Sequence, residues 1–162
     1  MTRWLALGVL AWALWGCGYR LRAPASALPK GLSAVEVPVF ANATSEPGAE
    51  GFFTQALREH YLRAGRLGGA GAPARVEGTL LTVSSAPLVF SPGRLPNYRF
   101  QATVQLVLVR AGAVLDTVQV SGDEDYPAGA DVVSSETNRG AALRRLADAL
   151  MREGAERLAT GW

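Results

Sequence analysis

Residues 98–110 constrain this chain more than any other stretch. Tyr98, Phe100, Ala102, Val104, Leu106 and Leu108 alternate with Arg99, Gln101, Thr103 and Gln105. Successive side chains of a strand point to opposite faces, so this run has one apolar face and one polar face, the latter turning apolar at Val107 and Val109. Such a strand belongs to an antiparallel sheet covered on one side only. Ala111-Gly112 makes a tight turn, and residues 113 to about 122 return as the next strand, giving a hairpin.

The remaining segments supply the cover. Residues 33–40 read as a first strand with Val35, Val37 and Val39 on one face, and Pro38 suits an edge or a strand end. A turn over 41–48 leads to a helix predicted from about Pro47 to Ala64, with Ser45 or Glu46 as its cap. Phe53, Ala56, Leu57, Tyr61 and Ala64 form its buried stripe, Phe52 flanks them, and Arg58, Glu59 and Arg63 face water. The Gly-rich connection 66–73 has neither phosphate-loop spacing nor a following Lys-Ser/Thr.

A second strand follows over 74–85, then a Pro-rich insertion over 86–97 that holds Leu88-Val89-Phe90 and Arg94. After the hairpin, Asp123-Glu124-Asp125-Tyr126-Pro127 is expected to break the strand. The last helix starts near residues 131–135 and runs to about 158, with Leu143, Leu146, Ala147, Leu150, Gly154 and Leu158 inward. The expectation is an α+β two-layer sandwich of order β-α-β-β-β-α, two helices packed on one face of a four-stranded mixed sheet.

The N-terminus carries an address. Trp4–Trp15 form an apolar run of signal-peptide length behind Arg3, too short to span a bilayer. The run closes Leu14-Trp15-Gly16-Cys17, which resembles a bacterial lipobox, with Trp15 where a small residue is usual. On this reading residues 1–16 are removed, Cys17 becomes a lipid-bearing N-terminus, residues 17–32 are a tether, and residues 33–162 form one α+β domain. Cys17 is the only cysteine, so no disulfide competes for it.

Composition narrows the function. With 16 Lys+Arg against 14 Asp+Glu, and one of the former leaving with the signal, the chain lacks the basic excess of a nucleic-acid binder. Its one histidine, His60, lies beside Glu59 with no further ligands at metal-site spacing. Asp123, Glu124 and Asp125 lack the downstream Gly and Glu of a calcium loop. Ser134 and Ser135 lack a His/Asp partner set and read as helix-start residues. No enzyme, cofactor or metal is expected, and a binding body on a lipid tether remains. Its candidate contact segment is the insertion, too apolar for a plain loop: Leu88, Val89 and Phe90 would meet a partner or acyl chains, and Arg94 and Arg99 would meet phosphate groups.

Three groups of residues together resemble a known family. Cys17-Gly18-Tyr19-x-Leu21 follows the signal, and Val37-Pro38-Val39-Phe40 leads into Asn42-x-Thr44-x-Glu46-Pro47-Gly48 and a helix with Leu57-Arg58. An Ala-Leu-Arg-x-Leu-Ala helix over 142–147 finishes near Gly161-Trp162. The combination is similar to the lipopolysaccharide-assembly lipoproteins, LptE. The resemblance implies two helices on a small mixed sheet, and lipid anchorage in the outer membrane. It also implies a non-enzymatic role: plugging and assisting assembly of the barrel LptD, and helping lipopolysaccharide to the outer leaflet. Gly18 after the cysteine agrees with outer-membrane sorting. The alternative is an outer-membrane lipoprotein that scaffolds or activates a cell-wall synthase or secretion channel.

Overall fold

Apolar alternation places the strands. The computed structural model describes residues 28–29, 31–89 and 95–161, with the side chain of Val89 excepted. Five strands, β1 (Val35–Glu36), β2 (Ala41–Asn42), β3 (Ala74–Val89), β4 (Asn97–Arg110) and β5 (Ala113–Pro127), make one mixed sheet. Helices α1 (Ala49–Arg63) and α2 (Val132–Thr160) cover one of its faces. In β4 the expected set from Phe100 to Leu108 is buried, and Val104 and Leu106 lie opposite Val120 and Val118 of β5. On the other side, β3 sets Val76 against Leu108 and Leu80 against Val104. A bulge at Leu81 then shifts the phase, so Leu80 and Val83 both turn inward although three residues apart.

The first strand is interrupted where one run was expected. β1 and β2 are both parallel to β3, but residues 37–40 between them leave the ladder. Pro38 has no N–H to give, and the flanking groups are satisfied from the helix instead. The Phe40 N–H donates to Thr54 Oγ1 at 3.0 Å, and Arg58 Nε donates to the Val37 carbonyl at 2.9 Å. Arg58 therefore braces the sheet edge rather than simply facing water. The detour also turns Val39 outward, 67% exposed, and puts Phe40 into the core in its place. Gly78 makes room for it, since a Cβ there would run into the Phe40 ring.

The helix starts also differ from the reading. α1 begins at Ala49 behind Gly48, whose φ of 81° suits glycine, so Pro47 lies ahead of the helix and neither Ser45 nor Glu46 caps it. Asn42 organises that turn: its Oδ1 accepts from the Thr44 N–H and hydroxyl, and its Nδ2 donates to the Glu46 carbonyl and to Glu50. Ala64 is the exposed C-cap, not part of the stripe. α2 starts as expected, with Asp131 accepting the Ser134 N–H at 2.7 Å and Ser134 Oγ answering the Asp131 N–H at 3.1 Å. Gly154 lets α2 approach Leu106.

β3 and β5, the two neighbours of β4, outrun their predicted ends. Ala86 to Val89 continue β3, paired through Val89 with Asn97, so only residues 90–96 separate the strands. Residues 123–127 do not break β5, because Arg99 on the neighbouring strand meets Asp125 at 2.6 Å and Asp123 at 3.3 Å. Glu124, on the covered face, pairs with Arg145 of α2.

The elements give the body two ends. β3 runs roughly 50 Å at about 3.3 Å per residue. At its beginning lie the start of β1, the β4–β5 turn and the last turns of both helices: the near end. At its finish lie the β3–β4 hairpin and the first turn of α2: the far end. Leu28 and Leu32, ahead of β1, are buried in the core.

Gly78→Ala overfills this core and is expected to lower stability by about 1–3 kcal/mol. Phe40→Ala empties it and is expected to cost about 3–5 kcal/mol. Urea unfolding midpoints check both.

Candidate functional site

The face opposite the helices has no cover among the described residues, and its residues line up in rungs across three strands. Thr79, Gln105 and Gln119 form one, and Thr82, Thr103 and Ser121 the next, with the Thr103 and Ser121 hydroxyls 3.0 Å apart. These two central rungs carry hydroxyls and amides and no charge. Glu77 paired with Arg75 closes the patch toward the near end. Arg99 with Asp123 and Asp125 closes it toward the far end. The hydrogen bond from Arg99 holds the Asp125 carboxyl below its usual range, and the same bond raises the guanidinium. Two carboxylates thus occupy Arg99, the residue assigned to phosphate from the sequence.

The far end is apolar. Leu88 sits in β3 and is partly exposed, Leu95 is exposed in the hairpin loop, and Val132 and Val133 are 79% and 77% exposed. The Ala128 N–H donates to the Pro96 carbonyl at 2.8 Å, which ties the loop leading to α2 to the hairpin. Beneath this tip, Tyr126 stacks between Tyr98 and Phe100, its hydroxyl 2.7 Å from Ser85 Oγ. Arg139 lies over Phe100 and pairs with Glu46, joining α2 to the turn before α1.

The predicted contact residues divide accordingly. Leu88 reaches the tip, and Val89 is in β3. Phe90, Arg94 and the lipidation residue Cys17 lie outside the described residues. Leu95, Val132 and Val133 were missed. The valines were legible, since an adjacent pair of them occupies a first helical turn where acidic residues are the favourable choice.

Two other features bear on chemistry. A groove of about 370 Å³ runs between the helices, lined by Phe52, Ala56, Glu59, Arg144 and Asp148 among others, with Arg144 5.8 Å above the Phe52 ring. His60 stands edge-on to Tyr61, and burial, helped by Arg63 and Arg152 and opposed by Glu156, holds its imidazole below the ordinary 6.5. Among the described residues, no three His, Cys, Asp or Glu side chains gather as a metal site, and no helix is long and apolar enough to cross a membrane.

The family model for LptE, lipopolysaccharide-assembly, matches residues 32–158. No curated protein matches the chain by sequence. Among solved structures it is similar to a Caulobacter crescentus CB15 protein classed as a lipoprotein, with TM-score 0.57 at 13% identity, covering 76% of this chain and 89% of that one. It is also similar to lipoprotein B of Nitrosomonas europaea (TM-score 0.55, 13% identity, 89% and 92% covered). A minor lipoprotein of Acinetobacter baumannii gives TM-score 0.52 at 12% identity, with 80% and 92% covered. At these identities the likeness shows a common fold.

The lowered His60 has a signed consequence. The unfolded chain takes up a proton near pH 6.5 and the folded chain resists it, so this contribution is complete above pH 6.5 and is lost as pH falls below that value. His60→Gln is expected to flatten that part of the stability profile, read from urea midpoints between pH 7.5 and about 5.

Proposed function

The chain belongs to the LptE lipopolysaccharide-assembly family, and from that premise we propose that it is an outer-membrane lipoprotein, anchored through acylated Cys17, that plugs an LptD-type barrel. It assists assembly of that barrel and helps deliver lipopolysaccharide to the outer leaflet. The observation that carries the reading is the uncharged polar face of Thr79, Gln105, Gln119, Thr82, Thr103 and Ser121. The interior of a wide membrane barrel is polar. Amides and hydroxyls exchange water for lumen hydrogen bonds at far lower desolvation cost than charges would.

The far end supports a second part of the reading. Leu88, Leu95, Val132 and Val133 offer apolar surface where acyl chains or an apolar stretch of the barrel would be met. By the sequence alone, Val89 and Phe90 would add apolar contacts and Arg94 would meet phosphate, Arg99 being held by Asp123 and Asp125.

Purification of the full-length chain from detergent-solubilised membranes is expected to recover a large barrel protein at one-to-one stoichiometry. A cell-wall synthase or a ring-forming channel in its place overturns the reading. Gln105→Glu with Gln119→Glu puts unpaired carboxylates on the face. It is expected to lower barrel recovery about tenfold or more, the cost of burying charge where amides stood. The two carboxylates face each other across β4 and β5, so the melting temperature is expected to fall by a few degrees, whereas Gln105→Glu alone should leave it near that of the parent while still lowering recovery.

A further inference from the structure

We propose that the outer edge of β5, from Ser121 to Asp125, pairs with an extended basic segment of a partner protein, which adds a strand to the sheet. The inference rests on the preceding reading for that partner, the barrel protein. A closed barrel has no strand edge to give, so the segment is a loop or terminal stretch that enters the lumen.

β5 is the last strand of the sheet, so one of its edges has no neighbour among the described residues. Three contacts show which backbone groups point that way. The Thr117 N–H donates to Asp116 Oδ1 at 2.8 Å, and the Gln119 carbonyl accepts from Arg157 at 3.1 Å. The Pro127 carbonyl accepts from Asn138 Nδ2 at 3.1 Å. Direction alternates along an antiparallel strand, so Ser121, Asp123 and Asp125 also turn their N–H and carbonyl outward. Val120, Gly122 and Glu124 turn theirs to β4. The chain thus caps its own edge on both sides of a window. Within the window, no described residue meets the outward backbone groups of Ser121, Asp123 and Asp125, and all three residues are exposed.

The surroundings select the occupant. Long edges are commonly blunted by lysine, proline or a bulge. Here the bulge at Leu115 and Pro127 both lie outside the window. Free donors and acceptors at every second residue fit an extended backbone. A second copy is a poor match, because the antiparallel register that fills both windows sets Asp123 against Asp123. On the open face Asp123 and Asp125 share Arg99, while Glu124 on the covered face is matched by Arg145. One carboxylate is therefore left for a Lys or Arg of the incoming strand. Arg145, Ala149 and Arg157 stand in one row of α2, since residues four apart share a face. Arg145 reaches Glu124 and Arg157 reaches Gln119, so the small residues Ala149 and Gly122 lie between them. That gap admits an apolar side chain on the covered side. The fitting segment alternates basic and apolar residues.

The test compares hydrogen exchange, residue by residue, in the full-length chain alone in detergent and in its one-to-one complex with the barrel. The amides of Ser121, Asp123 and Asp125 are expected to exchange about tenfold or more slowly in the complex. Those of Val120, Gly122 and Glu124, held by β4, are slow in both. Unchanged exchange at the three outward amides overturns the proposal. Protection already present in the isolated chain overturns it too, giving the window to a second copy or to the chain's own N-terminal segment. Asp123→Pro removes one outward N–H without touching the β4 ladder and is expected to lower barrel recovery about tenfold. Asp123→Asn keeps that N–H and is expected to lower recovery only about threefold, for the lost charge. Undiminished recovery with proline, or equal losses with the two variants, overturns the added strand. A parent chain that recovers no barrel overturns the preceding reading and this one together, whereas a complex with unprotected amides overturns the added strand alone.

Discussion

The seating of Phe40 over Gly78 is the contact on which the rest of the structure depends. Pro38 removes one backbone donor from the edge strand and leaves its neighbours without a ladder. The chain answers by turning Phe40 inward, with its N–H on Thr54 and the Val37 carbonyl on Arg58. One aromatic ring and two hydrogen bonds thereby join the edge strand, α1 and β3. With α1 fixed, Glu46 and Arg139 join the turn before it to α2, and α2 closes over β4 and β5 through Leu106 and Gly154. The covered face is then complete, and among the described residues the opposite face is left open.

That division gives the body a direction as well as two faces. Both helices run toward the near end, where β1 begins. The hairpin and the first turn of α2 form the far end, some 50 Å away by the rise of β3. On the proposed reading the apolar tip works at the far end, with the uncharged rungs against a polar wall. Amides and hydroxyls suit such a wall, since they exchange water for lumen hydrogen bonds at lower desolvation cost than charges.

The sheet and helices were legible because each carries its own period. The alternation from Tyr98 to Leu108 and the stripe from Leu143 to Leu158 are local signals. What local reading missed depends on neighbours distant in sequence. Residues 86–89 look like a loop until Asn97, Tyr98 and Arg99 pair with them. Asp123 and Asp125 look like a strand break until Arg99 neutralises them from the adjacent strand. Val39 follows the alternating pattern but faces water, because Pro38 takes the backbone out of register. Cys17 is legible in sequence alone, whereas the polar face emerges only when the register sets Thr79, Gln105 and Gln119 side by side.

The central claim is that this polar face lies against the wall of a barrel. A photo-crosslinking residue in place of Gln119, in the middle of the face, tests it most directly in intact cells. The account predicts one major adduct, with the mass of this chain plus a large outer-membrane barrel protein. A Gln119 position that yields no barrel adduct, while the same residue in place of Gln55 on α1 does, would contradict it.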